Sequence, residues 1–373
     1  MQNRIKRRNR VVRRVALVGA AGILVLGSVF TFFPRSSLNI QRVSWEYWPS
    51  PENAGVSAAA LEDFLSHVRT LGTTGLMVAK GGKVLLEYGD TEARGFLAEG
   101  RCSVLAMLYG KAVAEGTVDL SLTLEALGVD DRPGLLPTEK KATLEDLLTN
   151  RSAVYHSTEF IDPKEGLPAR GSVEPGTHFY FHSWGCLAGR VIYEMLTERD
   201  FSQAVEQDLA VPLGLQDYTP RSHNPGHDRS RSRFTLFHLY ISTRDVARFG
   251  QLMLQNGEWE GRQLVPRDWV TRITTMVTPP EEVNPQAYKR LGLGFGYQWW
   301  VWDEANEESP YAGAYTYRGD WGQYLTVLPK LDMVVAHQRF AGGYGRPDRS
   351  VSFGEYLGLL EGIVAAVSGP DQP

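Results

Sequence analysis

The sequence predicts an α+β domain: an antiparallel sheet flanked by N- and C-terminal helices, with a helical subdomain inserted between the two halves of the sheet. Three observations predict it. An amphipathic stretch from Ser57 to about Leu71 leads into two apolar-rich runs, 75–80 and 83–88. Strand-like runs then return only from Gly294 onward, after a long helical middle. A last helical stretch opens with Ser352-x-x-Glu355 and stops at Gly369-Pro370. Both ends of the domain therefore supply the sheet layer, and two subdomains share one cleft.

Each element has a local cause. Gly81-Gly82 joins the first two runs as a hairpin, because glycine adopts the positive φ that tight turns need. From about 102 to 115 the chain is apolar nearly all round, which marks a buried helix, and Gly116 terminates it. Helices dominate to about residue 275. Ser242-Thr243-Arg244-Asp245 resembles a capping box before an apolar-periodic run that Asn256-Gly257 ends. Tyr324–Leu328 and Met333–Arg339 flank the turn Pro329-Lys330-Leu331-Asp332. The cluster Trp299-Trp300-x-Trp302 reads as core on a strand in preference to a stacking platform for sugar.

The chain has 373 residues, enough for one large domain or two smaller ones. Two cysteines are too few for a disulfide scaffold, and no Cys-x-x-Cys pair or His-rich tract suggests a metal site, so no cofactor is expected. Net charge is −4, but the first 34 residues hold seven Lys/Arg and no acid; the remainder has 32 basic against 43 acidic residues. So acidic a body argues against a nucleic-acid partner.

The basic cluster is a membrane signal. Arg4 to Arg14 precede an uncharged run from Val15 to Phe33, whose 19 residues would span about 28 Å as a helix, close to the bilayer's hydrocarbon thickness. The positive-inside rule leaves the basic end in the cytoplasm and everything after Pro34 outside, in the periplasm of a bacterium. A cleaved signal peptide is the rival reading, but the run ends in Phe30-Thr31-Phe32-Phe33-Pro34, without the small residues a signal peptidase needs. Either reading exports the domain. The expected partition is a basic segment with an inner-membrane anchor (1–34), a linker bearing Trp, Tyr and Pro (35–55), and one domain (56–368) with its helical insertion at about 100–275.

The domain resembles the serine β-lactamase and penicillin-binding protein family, in particular its class C-like esterase and carboxypeptidase branch. Four stretches carry the resemblance, in order. Leu108-Tyr109-Gly110 to Gly116-Thr117-Val118-Asp119-Leu120 is similar to the segment after the nucleophile. Ala142 to Ser152 is similar to the landmark T-I-x-x-L-L-x-H-x-S-G. Val211-Pro212-Leu213-Gly214-Leu215-Gln216-Asp217 is similar to P-L-G-M-x-D, and Ser242 to Gly250 to the S-x-x-D-L-A-R-F-G helix. The resemblance implies a Ser and a Lys at i and i+3 on one helix face, a Tyr-x-Asn loop, and a Lys/His-x-Gly strand closing the cleft. Desolvation would lower the lysine's pKa so that it can take the serine's proton, while the helix start stabilises an oxyanion.

Aligned on Leu108-Tyr109-Gly110, the nucleophile position is Glu99 and the lysine position Cys102. No lysine in the chain has a serine three residues before it, so a register shift does not restore the motif. Ser103 follows the lysine position. The Tyr-x-Asn loop becomes Phe181-His182-Ser183, with Tyr180 carrying a phenol one place early, and the strand motif becomes Tyr317-Arg318-Gly319, before Trp321. Removing a nucleophile or its base costs orders of magnitude in rate.

The residues at these positions have bland and functional readings. Glu99 is read as an anion stabilised at a helix N-terminus in preference to a nucleophile or general base. Cys102 is a buried apolar thiol or, as the family resemblance implies, is paired with Cys186; a substitute nucleophile with His182 as base is the remaining reading. His182 is expected to be a hydrogen-bonded structural residue. Arg318 is a carboxylate anchor or a structural ion-pair partner. Three functions follow: a pseudoenzyme at the inner membrane binding a cell-wall peptide, muropeptide or protein partner; an ester or amide hydrolase using Glu99, Cys102 and His182; or an interaction domain whose cleft is filled by side chains such as Phe181 and Trp321.

Overall fold

The structure, a computed structural model, describes residues 40–159, 164–226, 229–340 and 349–369. The expected anchor at 15–33 lies outside them. Among the described residues no helix is long and apolar enough to cross a membrane.

In chain order the elements are α1 (Ala58–Val68), β1 (Gly75–Lys80), β2 (Lys83–Gly89), β3 (Arg94–Phe96), α2 (Gly100–Ala114), α3 (Leu144–Leu148), α4 (Ser183–Thr197) and α5 (Phe201–Ala204). There follow β4 (His223–Pro225), β5 (Phe237–Ser242), α6 (Thr243–Leu254), β6 (Glu258–Trp259), β7 (Arg262–Gln263), α7 (Arg267–Thr274) and α8 (Gln286–Lys289). The last are β8 (Leu293–Phe295), β9 (Trp300–Trp302), β10 (Tyr315–Gly319), β11 (Gln323–Leu328), β12 (Met333–Gln338) and α9 (Phe353–Ser368).

Seven strands make one antiparallel sheet in the order β2-β1-β12-β11-β10-β9-β8. N- and C-terminal halves of the chain meet where β1 pairs with β12, Gly75 opposite Gln338 and Lys80 opposite Met333. Both faces are covered, which is why β1 reads as an unbroken apolar run. Leu76 and Val78 join Met333 and Val335 in a cluster with Phe64 of α1 and Leu359 and Ile363 of α9. Met77 and Ala79, one residue out of phase, join Val334 and Ala336 in a cluster with Val246, Phe249 and Leu252 of α6.

The caps are local chemistry. Ser352 and Glu355 form both arms of a capping box at α9, Ser352 N–H donating to Glu355 at 2.7 Å and Glu355 N–H to Ser352 Oγ at 3.2 Å. Thr143 and Asp146 do the same at α3. At α6 Ser242 Oγ accepts the Asp245 N–H at 3.3 Å, but the second arm is missing. Buried Asp245 instead accepts the N–H groups of Gln216, Asp217 and Tyr218 at 2.7, 2.8 and 3.1 Å.

Two details add to the sequence reading. The helical middle also carries short strands: β3, β5 and β4 form a small sheet and β6 and β7 a hairpin. These strands are two to six residues long, too short to impose a readable alternation. The stretch read as a linker is bonded to the domain over its second half. Val43 N–H bonds Gly214 O at 3.0 Å, Trp45 Nε1 donates to Arg244 O at 3.0 Å, and Trp48 Nε1 donates to Lys80 O at 2.9 Å. Trp45 buries its ring and Trp48 half-buries its own, each giving its N–H to a backbone carbonyl, while Tyr47 stays exposed with its hydroxyl on Glu87.

Candidate functional site

A narrow cleft forms where α2 begins, beside the loop entering α4 and the strand β10. It brings together Glu99, Cys102, Ser103, Phe181, His182, Ser183 and Arg318. Gly319 and Trp321 are not among its lining residues. Its empty volume, open solvent included, is about 430 Å³, but the free space inside is only about 20 Å³, room for a single water.

The α2 start is held close to β10 by Gly100, where a Cβ would lie 2.7 Å from the Tyr317 ring. Glu99 occupies the N-cap position, yet its side chain makes no cap hydrogen bond. The helix start therefore does not hold the carboxyl through a cap hydrogen bond. Oε2 reaches across to accept the Asp320 N–H at 3.0 Å, and Oε1 is buried without a partner. The residue is 8% exposed. Burial, then the charge of Asp320, pushes its carboxyl up to about 7, against the pull of Arg101 and the backbone N–H bonds.

Cys102 is bonded to Cys186, its Cα 5.8 Å away on α4. Of the readings open for this residue the structure contains the disulfide, and a nucleophilic Cys102 with His182 as base is corrected: a sulfur in a disulfide has no thiolate to offer. His182 caps α4, its Nδ1 accepting the Trp184 N–H at 3.2 Å. Ser103 Oγ donates to Gln298 O at 2.5 Å, and Ser183 Oγ lies 3.0 Å from Thr158 Oγ1.

Phe181 closes the cleft from the loop side. Its ring packs against Tyr288 at 4.6 Å and Trp300 at 5.4 Å. Tyr180, the phenol one place early, donates to Glu165 O at 3.0 Å and does not line the cleft. Trp321 does not fill the cleft as expected. With φ +67° it sits on the β10–β11 turn, its ring 6.0 Å from that of Phe96. Arg318 projects from β10 with its guanidinium 4.8 Å over the Tyr288 ring. Nε and Nη1 are buried without a hydrogen-bond partner, so the ion-pair reading of Arg318 is corrected too. Gly319 is needed where it stands, since a Cβ would meet Leu97 O at 2.5 Å.

Sequence reasoning missed Arg101, Asn150, Gln298 and Trp300 as lining residues. Arg101 is almost wholly buried, its guanidinium 5.1 Å over the Phe237 ring. Asn150 has φ +56°, a conformation Asn tolerates better than most, and it lies inside the quoted landmark Ala142–Ser152. Gln298 carried no readable signal. It bridges α3 and α2, donating to Leu148 O at 3.0 Å while its own carbonyl accepts from Ser103.

Among described residues no lysine lines the cleft. Lys111, on the same helix as Cys102, is half exposed and pairs with Asp208 at 3.2 Å. No cluster of described side chains could hold a metal ion.

Comparison with known proteins places this geometry. The family model described as Beta-lactamase matches residues 103–337. A Bacillus anthracis protein assigned as a 6-aminohexanoate-dimer hydrolase superposes with a TM-score of 0.63 at 18% identity, over 87% of each chain. A Bacteroides dorei protein assigned as a β-lactamase gives 0.62 at 18% identity, over 84% of this chain and 100% of that one. A penicillin-binding protein homologue from Caulobacter crescentus gives 0.60 at 14% identity, over 83% and 97%. Such identities speak to fold alone. An uncharacterized protein of Alkalihalophilus pseudofirmus is 27% identical over 116 residues, covering 30% of this chain and 32% of that relative.

Proposed function

The chain belongs to the β-lactamase family, and on that premise we propose that its domain has given up the family's acyl transfer and serves as an exported binding module. One observation carries this reading. The helix mouth where the family resemblance puts a serine and a lysine holds the Glu99 carboxyl and a sulfur tied to Cys186. Acyl transfer of that kind needs a hydroxyl and a desolvated amine within reach of each other. Neither Ser103 nor Ser183 has a lysine beside it in the cleft.

The setting we propose is the bacterial inner membrane, with residues 15–33 as a single-pass anchor and the domain in the periplasm. The basic block before the apolar run supports that orientation. The Cys102–Cys186 bond supports it independently, because disulfides persist in oxidising compartments. A cell-wall peptide, a muropeptide or a protein partner at the membrane surface is the proposed class of ligand.

A second reading has one observation in its favour. A carboxyl pushed up to about 7 is matched to general-base work near neutral pH, so Glu99 could drive hydrolysis of an ester or amide. The two readings separate in one assay. The purified full-length protein is incubated with a fluorescent penicillin and with an activated ester, and its intact mass is taken. The binding-module reading expects no adduct and no ester turnover above background. A covalent penicillin adduct, or turnover that disappears in Glu99→Ala, would refute it.

A further inference from the structure

The cleft is shut in this structure: with room for one water, it takes no peptide unless a wall moves. One wall is the start of α4, where His182 and Ser183 line the space. Residues 152–158 pack against that wall and belong to no helix or strand. Tyr155 sets its ring 5.8 Å from that of His182, and Thr158 Oγ1 lies 3.0 Å from Ser183 Oγ. Between these two contacts the segment is pinned at His156, whose side chain is 2% exposed. Its Nδ1 stands 3.2 Å from Asp131 Oδ2, and its Nε2 stands 3.5 Å from Glu139 Oε2, an ion-pair distance. A neutral imidazole carries a proton on one nitrogen alone, so only the protonated ring donates toward both carboxylates. Asp131 Oδ2 also accepts from Trp184 Nε1 at 2.7 Å and from Ser232 Oγ at 2.8 Å, so one carboxylate ties 152–158, α4 and the 232–234 turn together.

The charges facing the ring are those of Asp131, Glu139 and Arg170. Arg170 grips Glu139 through Nε and Nη2, each at 2.8 Å. Arg233 gives Asp131 its backbone N–H at 2.6 Å, and its charge acts with that of Lys140 on Asp130. From α4 the ring meets Trp184, which is uncharged. Two buried carboxylates against one guanidinium leave one negative charge uncompensated, and a protonated His156 cancels it. Burial opposes charge on the ring, but Asp131 and then Glu139 outweigh it and hold its pKa above the ordinary value, with Arg170 pulling the other way.

We propose that His156 is a proton-operated latch: charged, it holds 152–158 against the start of α4 and keeps the cleft shut; once it loses its proton, the segment is freed and the cleft widens. The latch governs access to the cleft under either reading of its function, binding or hydrolysis, so its failure is separate from theirs. The sign follows from the raised pKa. The hold is complete below 6.5, the value of an unperturbed histidine, and is lost as pH climbs through the higher value of the folded state.

Two readouts on the full-length protein test the latch. Amide hydrogen exchange in 152–158, corrected for the pH dependence of intrinsic exchange, should quicken at least about tenfold between about pH 6 and about pH 9. The Cys102–Cys186 bond lines the cleft, so its reduction by dithiothreitol, per unit of thiolate, should quicken by a similar factor. In His156→Gln, checked for folding by circular dichroism, both rates should already be fast at the lower pH and flat above it. Arg170 repels the charged ring, so Arg170→Gln should move both transitions to higher pH, which mere loosening of the segment does not do. Arg170 is 35% exposed, so this second variant decides the matter if His156→Gln does not fold. Rates independent of pH in the wild type, an equal rise in His156→Gln, or an Arg170→Gln transition that stays in place or moves down overturns the proposal. Faster exchange without faster reduction overturns the control of the cleft.

Discussion

Removing the Cys102–Cys186 cross-link should cost the domain several kcal/mol without touching its surface. The bond joins α2 to α4 across a sequence separation of 84 residues. Closing a loop of that length removes roughly 15 cal/mol/K of entropy from the unfolded chain, which is about 4.5 kcal/mol at 25 °C. Cys102 and Cys186 are 5% and 2% exposed, so alanine at both leaves a small cavity that adds to the loss. For a domain of roughly 300 residues, with an unfolding entropy of about 2.1 cal/mol/K per residue, this lowers the midpoint by about 7 °C. The assay is thermal unfolding of Cys102→Ala/Cys186→Ala beside the oxidised wild type, with intact mass under non-reducing conditions to count free thiols. A shift under about 2 °C, or a wild-type mass heavier by two hydrogens, would refute the reasoning.

Two further outcomes are expected. Asp245→Asn should destabilise by about 2–4 kcal/mol, because its amide can accept only through one oxygen where the carboxylate takes three N–H groups from Gln216, Asp217 and Tyr218; chemical denaturation measures this, and a cost below about 0.5 kcal/mol would contradict the role assigned to that carboxylate. Glu99→Gln should gain on the wild type as pH rises. Burial, then the Asp320 charge, raises the Glu99 carboxyl from 4.5 to about 7, so its contribution is fully present below about 4.5 and is lost as pH climbs through 7. Glutamine does not titrate, so variant minus wild type should grow by about 2–3 kcal/mol between pH 5 and 8; a difference independent of pH would show that Glu99 is not buried as described.

The landmarks that made the fold legible turn out to be structural chemistry rather than catalytic chemistry. Thr143 and Asp146 are there because α3 needs a capping box. Asp245 is there because three N–H groups of the 216–218 turn need an acceptor. Such residues act through neighbours a few positions away or through one fixed turn, so their pattern survives in the sequence whatever happens in the cleft. The hairpin at Gly81-Gly82 was readable for the same reason: both glycines have positive φ, 58° and 74°.

The site was less legible. That Glu99, Cys102, Phe181 and Ser183 share a cleft followed from the family resemblance and from no spacing of their own. Whether Cys102 is a thiol or half of a disulfide depends on where α4 lies against α2. Phe181 at a motif position and Trp321 just after one are both large aromatic residues, yet the first closes the cleft and the second sits against Phe96 outside it. Gln298 escaped notice because its work is done by backbone and side-chain atoms bonding residues some 150 positions upstream.

By itself the sequence determined the alternation of sheet and helix, the caps and turns, the basic block before an apolar run, and the lack of a Ser-x-x-Lys pair. All of these are properties of neighbours along the chain. Only the tertiary structure decided that two sulfurs meet, that the Trp-bearing linker is strapped to the domain, and that Glu99 and Arg318 lie buried in one cleft without touching. Those facts depend on distances between segments that sequence periodicity does not constrain, and the energy of a buried charge is set by what stands beside it in space.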